Sequence, residues 1–269
     1  MNIRPVNTIT QKRERLLWLM LASLVALALL PINPYQLLPG MLPPALHEYA
    51  DSRAWFGLSN AMDVLSNLPF AVFGLIGLWN VRRKSGQLNQ QLRVLAQCFY
   101  GGLVVTAIGS SYFHLNPLSA IGLAGDRMGM TVVFAGILGL AAWERISERA
   151  GFALMNAMLA GGAIAVAVWL GSNNIWPWAQ VQFGGMAMLG VLAAMAHRTK
   201  DVQINMLALI GCYAAAKLFE MNDQSVYEAT QHLISGHSLK HIVAGIAAVC
   251  VTLPGLQTDA PQKVHARSA

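Results

Sequence analysis

Eight runs of apolar residues, each near the roughly 20 that a bilayer-spanning helix needs, alternate along this chain with short polar connections. They cover about residues 16–32, 62–79, 94–114, 127–143, 152–171, 178–196, 204–220 and 236–256. Connections such as 171–177 and 197–203 are short, so neighbours in sequence should pack antiparallel. The pattern predicts an all-α polytopic membrane bundle of eight helices. A seven-helix core over 62–256 is preceded by a cytoplasmic N-terminus and extra signal-anchor helix (1–33) and an outer loop (34–61), and is followed by a disordered cytoplasmic tail (257–269). The first run is read as retained. It is long for the apolar part of a signal peptide and ends in Pro31-Ile32-Asn33-Pro34 without a small-x-small cleavage site. No internal repeat or second domain is visible.

Composition agrees with that pattern. The 269 residues are 55% hydrophobic and 11% charged, against roughly a quarter charged in an ordinary soluble domain. Cys98, Cys212 and Cys250 all fall inside apolar runs, which argues against a disulfide framework or a cysteine metal site. The net charge of +6 does not point to nucleic acid, because the basic residues are scattered between apolar runs. It sets topology instead. With the N-terminus in the cytoplasm, 14 of the 18 basic residues fall on that side. The remaining four, Arg53, Arg127, Lys217 and Lys240, sit at or near the far face, so both termini are expected in the cytoplasm.

The same map collects chemistry at the outer face. His47, His114, His232, His237 and His241 lie there, with Glu48, Asp51, Asp63, Asp126, Glu220, Asp223 and Glu228. Ionisable groups at membrane depth are costly and usually face a protein interior or a water-filled cavity, which makes such a cluster a candidate site. His237 and His241, four residues apart, share one helix face and can reach a single ion. His114 closes the third helix at the same end. Three imidazoles leave a fourth position for water, the open arrangement of catalytic zinc, where the pKa of bound water falls to about 7.

Two further residues are candidates for catalytic roles. Ser110 lies one turn deeper than His114 on the same face and can donate to a developing oxyanion. Asp126, expected to open the fourth helix after an eleven-residue turn, can hold the water and act as general base. Each has a plainer explanation: a serine bonded to its own helix carbonyl, and an aspartate favoured by the helix dipole and paired with Arg127. His114 alone can be an interfacial residue bonded to a loop, and the histidine pair a proton relay.

Asn60, Asp63 and Asn67 form a polar stripe down the second helix, above Pro69, which should loosen the turn before it. They serve either as polar glue between helices or, with Asp51 and Glu48 of the preceding loop, as oxygen ligands for a second, hard cation. Lys217 and Glu220 make an i, i+3 pair that supports the site or simply the fold.

In order and spacing these residues resemble the CREST superfamily of seven-helix membrane hydrolases, and within it the alkaline ceramidases in their bacterial, ceramidase-domain form. The resemblance covers about residues 48–253 and rests on Asn60-x-x-Asp63-x-x-Ser66-Asn67, Ser110-x-x-x-His114, Asp126 and His237-x-x-x-His241. It implies a zinc-dependent amidase that cleaves the N-acyl bond of ceramide or a related long-chain lipid. His114, His237 and His241 would be the zinc ligands, Ser110 would assist at the oxyanion and Asp126 would position or deprotonate the water. The family also implies calcium. Where the family has a glutamate and then an asparagine, this chain has Asn60 and Asp63, and the acidic Asp-Trp-x-Glu stretch of the animal enzymes has no clear equivalent. The expected setting is a bacterial inner membrane, with a lipid substrate entering laterally and the site near the periplasmic face. Two other classes compete: a lipid receptor or sensor with a structural zinc held by four protein ligands, and a metal or proton transporter. An intramembrane serine protease is disfavoured by the paired histidines.

Overall fold

A computed structural model describes residues 8–34 and 49–253. His47, Glu48 and the tail over 257–269 lie outside the described residues. Every apolar run falls largely on helix. The order is α1 (Thr8–Ala28), α2 (Ala61–Leu65), α3 (Leu68–Arg83), α4 (Gln90–Leu115), α5 (Ala120–Arg145) and α6 (Glu148–Ser172). It continues with α7 (Trp176–Ala179), a π-helical segment (Gln180–Gly184), α8 (Gly185–Ala193), α9 (Met206–Met221), α10 (Asp223–Ala229) and α11 (Gly236–Ile246). Among the described residues four helices are long and apolar enough to cross a membrane: Ala61–Arg83 taken across its break, Gln90–Leu115, Ala120–Arg145 and Glu148–Ser172. Their outward faces fit that medium. Leu75, Ile76, Trp79, Ile108 and Ile164 stay exposed, a distribution suited to lipid rather than water.

Two boundaries differ from the sequence pattern, each for a local reason, and a third follows it. The fourth predicted helix starts at Ala120 rather than near Asp126, because Ser119 caps it by accepting from Gly122 N at 3.0 Å. The last run does not stay α-helical to its end. It leaves that conformation at Ile246, passes through a 3₁₀ turn (Ala247–Cys250) and pairs as β2 (Val251–Thr252) with β1 (Gln203–Ile204). The β-branched Val251-Thr252 step and the proline at position 254 favour extended backbone there. The second run breaks at Ser66 and Asn67, where Pro69 occupies the first turn of α3, as the sequence predicts.

Close helix contacts set the geometry of the site. A Cβ at Gly109 of α4 would lie 2.6 Å from Gly125 O of α5, so only glycine lets these backbones meet where Ser110 and Asp126 follow. Gly236 does the same at the start of α11, where a Cβ would lie 2.2 Å from Phe219 O of α9. The opposite end of the bundle is tied by charge. Glu144, fully buried, accepts from Ile204 N and contacts His197, while Arg13 of α1 donates to the terminal carbonyl of Arg145 at 2.6 Å.

Candidate metal centre and its cavity

His114, His237 and His241 converge. Each offers a ring nitrogen, and these atoms all lie within 4.8 Å of one another. His114 Nε2 and His237 Nε2 are 3.2 Å apart, close to the roughly 3.3 Å that separates two nitrogens each about 2.05 Å from a tetrahedral zinc. All three residues are at least 95% buried, with exposures of 1%, 5% and 5%. Among the described residues these three form the group capable of holding a metal. The donor set fits zinc: three buried imidazoles, each with a ring nitrogen to offer.

The surroundings orient the rings. Ser66 Oγ donates to Asp63 O at 2.9 Å and also contacts His241 Nδ1 at 2.8 Å. A hydroxyl has one proton to give, so His241 must donate from Nδ1, which leaves the Nε2 lone pair for the metal position. Ser238 Oγ donates to Asp63 Oδ1 at 2.7 Å, clamping α11 to α2. Asn60 Nδ2 donates to His114 O at 2.8 Å, and Asn67 Nδ2 to Asp63 O at 2.9 Å. Asn60 and Asp63 thus tie α2 to the helices that bear the histidines, while the Asn67 bond is local. Asp51 points elsewhere: both of its oxygens accept from Arg53, at 2.8 and 2.7 Å. Burial opposes its ionisation, but the hydrogen bonds and charge of Arg53 hold its carboxyl below the usual range.

Ser110 is buried and its hydroxyl makes no hydrogen bond, so it is not tied to its own helix carbonyl. Its side chain interacts at longer range with the Asp126 carboxylate across the Gly109–Gly125 contact. Asp126 lies six residues inside α5, deep in the protein, yet keeps accessible surface because it lines a cavity. Its neighbour Arg127 stacks instead on Trp169, with the guanidinium 3.9 Å from the ring centroid.

That cavity, about 440 Å³, runs from the triad into the bundle. Ser110, Asp126, Lys217, Glu220 and the three histidines line its polar end. Leu103, Met130, Phe134, Ile137 and Trp178 line the rest. From Asp126 to Ile137 the wall of α5 advances about 16 Å at 1.5 Å per residue. The space suits a long alkyl chain with a polar group at the triad.

Four residues of the site carried no role in the sequence reading. Tyr49 sits edge-on to His114 and His237, with ring centroids 5.2 and 4.5 Å away. Burial, and then the negative charges of Asp126 and Asp63, push its phenol well above the usual range, so it stays a neutral donor. Asp223 accepts from His237 N at 2.7 Å and from Ala50 N at 3.0 Å, joining the loop before α2 to the start of α11. Ser238 is the clamp on Asp63. Lys240 donates to Glu220 Oε1 at 2.7 Å, on the carboxylate that Lys217 also holds. The Lys217–Glu220 pair was legible from its spacing, but a partner twenty residues on was not.

No protein-family model matches the sequence, and comparison with curated proteins finds no relative.

Proposed function

We propose that this protein is a membrane amidase of the alkaline ceramidase type, which hydrolyses the N-acyl bond of ceramide or a related long-chain lipid with zinc at His114, His237 and His241. The observation that carries this reading is the meeting of an open three-histidine set with an apolar cavity, with Ser110 and Asp126 at the junction. The ceramidase-like order of those residues along the chain supports it. Zinc at the triad supplies Lewis-acid polarisation and lowers the pKa of water to about 7.

The chain's own groups divide the remaining work. The cavity takes the acyl chain and so places the carbonyl beside Ser110. Ser110, whose hydroxyl is not engaged elsewhere, donates to the oxygen that gains charge as water adds to the carbonyl carbon. Asp126 accepts the proton from that water and returns it to the leaving nitrogen as the C–N bond breaks. The products are a fatty acid and a free amine. Among the described residues three protein ligands meet, rather than four, which favours this reading over a receptor with a closed structural zinc. The proposed setting is a bacterial inner membrane, with both termini cytoplasmic and the triad towards the periplasm, following the distribution of lysine and arginine.

Lipid analysis of membranes incubated with wild-type and His241→Ala protein tests the proposal. Loss of an N-acyl lipid with matching gain of fatty acid and amine is expected with wild type alone. Ser110→Ala should retain the metal and lose rate by about 100-fold. Identical lipid profiles with both proteins would sink the reading.

A further inference from the structure

The cavity wall beside the triad carries two ammonium groups, which a neutral lipid does not call for. Lys217 Nζ donates to Glu220 Oε2 at 2.5 Å and Lys240 Nζ to Glu220 Oε1 at 2.7 Å, so two ammonium groups share one carboxylate. Each ammonium has three donors and gives one to Glu220, which leaves donors for a further acceptor. The ammonium groups are placed to meet one. The Lys217, Glu220 and Lys240 side chains keep 30%, 30% and 21% exposure while lining the cavity. Lys240 Nζ is also 3.4 Å from His237 Nδ1, so an anion held there lies within a few bonds of a group held at the triad.

We propose that Lys217, Glu220 and Lys240 form a head-group site that selects amide lipids carrying a carboxylate on the amine side of the scissile bond, in the manner of an N-acyl amino acid. This rests on the amidase reading and narrows its substrate class. Glu220 holds the two ammonium groups in place and competes with the incoming carboxylate for them. In the reaction, water adds to the acyl carbon, the C–N bond breaks and the nitrogen takes the proton, so that N-dodecanoylglycine yields dodecanoate and glycine. The simpler role, a salt-bridge staple between α9 and α11, makes the same bonds but predicts no preference among ligands.

The test compares N-dodecanoylglycine, its methyl ester and dodecanoate as ligands of the purified full-length protein in detergent, by calorimetric titration, and follows cleavage of the first two. Wild type should bind the acid about tenfold more tightly than the ester, the scale of one charge-assisted contact. Lys217→Gln and Lys240→Gln should bring that ratio close to one, while Glu220→Gln should raise it by releasing both ammonium groups. Should Lys240→Gln fail to fold, Lys217→Gln and Glu220→Gln still give opposite shifts. A ratio unchanged in every folded variant, with lowered melting temperatures only, would overturn the proposal in favour of the staple. Dodecanoate that binds as tightly as N-dodecanoylglycine and responds to the same variants would overturn the assignment to the head group. Equal binding and equal cleavage of acid and ester refute the head-group site and leave the amidase standing. Charge-dependent binding with cleavage of neither compound refutes the amidase and leaves the head-group site.

Discussion

Ser66 has one proton, and its destination decides what His241 can do. Because that proton goes to Asp63 O, the imidazole must donate from Nδ1 and keep Nε2 for a ligand. Ser66→Ala should therefore weaken zinc binding by about 10–100-fold without removing any ligand, measured by competition with a chromophoric chelator. His237 and His241 were legible in the sequence because a four-residue spacing on a helix is geometry in itself. The partner of His241 was not: Ser66 lies 175 positions away, and only the fold brings it within 2.8 Å. Tyr49 was hidden for the same reason. Nothing in its local sequence marks a ring that packs against two histidines.

At the scale of elements, the approach of α4 to α5 sets the distance between Ser110 and Asp126. Gly109 permits it, since any Cβ there would meet the Gly125 backbone, which cannot turn aside like a side chain. Gly109→Val should cost about 1–3 kcal/mol of stability and separate the two residues, read as a lower melting temperature and a loss of rate exceeding the loss of folded protein. Apolar periodicity revealed where helices lie because burial and lipid exposure both demand it. It did not reveal their ends. Ser119 starts α5 before the charged pair at 126 and 127 that marked the apparent start, and the turn to extended backbone at Val251 depends on a strand partner at Gln203–Ile204. Asp223 shows the same limit, since its acceptors bridge two segments that the sequence keeps far apart.

The whole molecule places its metal-capable residues at one end of a cavity whose other end is apolar. Ile137 lies at the apolar end, so Ile137→Trp should shorten the preferred acyl chain while leaving metal content unchanged, measured as relative rates over a series of chain lengths. Counting lysines and arginines pointed to a polar face, and the structure gathers five of the proposed residues on one cavity: Ser110, His114, Asp126, His237 and His241. Of the residues expected at a second cation, Asp51 is bound to Arg53 and Asp63 accepts from Ser238. The most direct test of the metal-dependent amidase is to measure zinc content and fatty-acid release on the same purified samples, as bound metal is removed by chelation and restored. Release should fall and recover in proportion to zinc, up to about one per chain, with none from His241→Ala at any zinc concentration. Metal-free protein that cleaves at the full rate, or zinc-loaded wild type that releases no fatty acid from any N-acyl lipid, would contradict it.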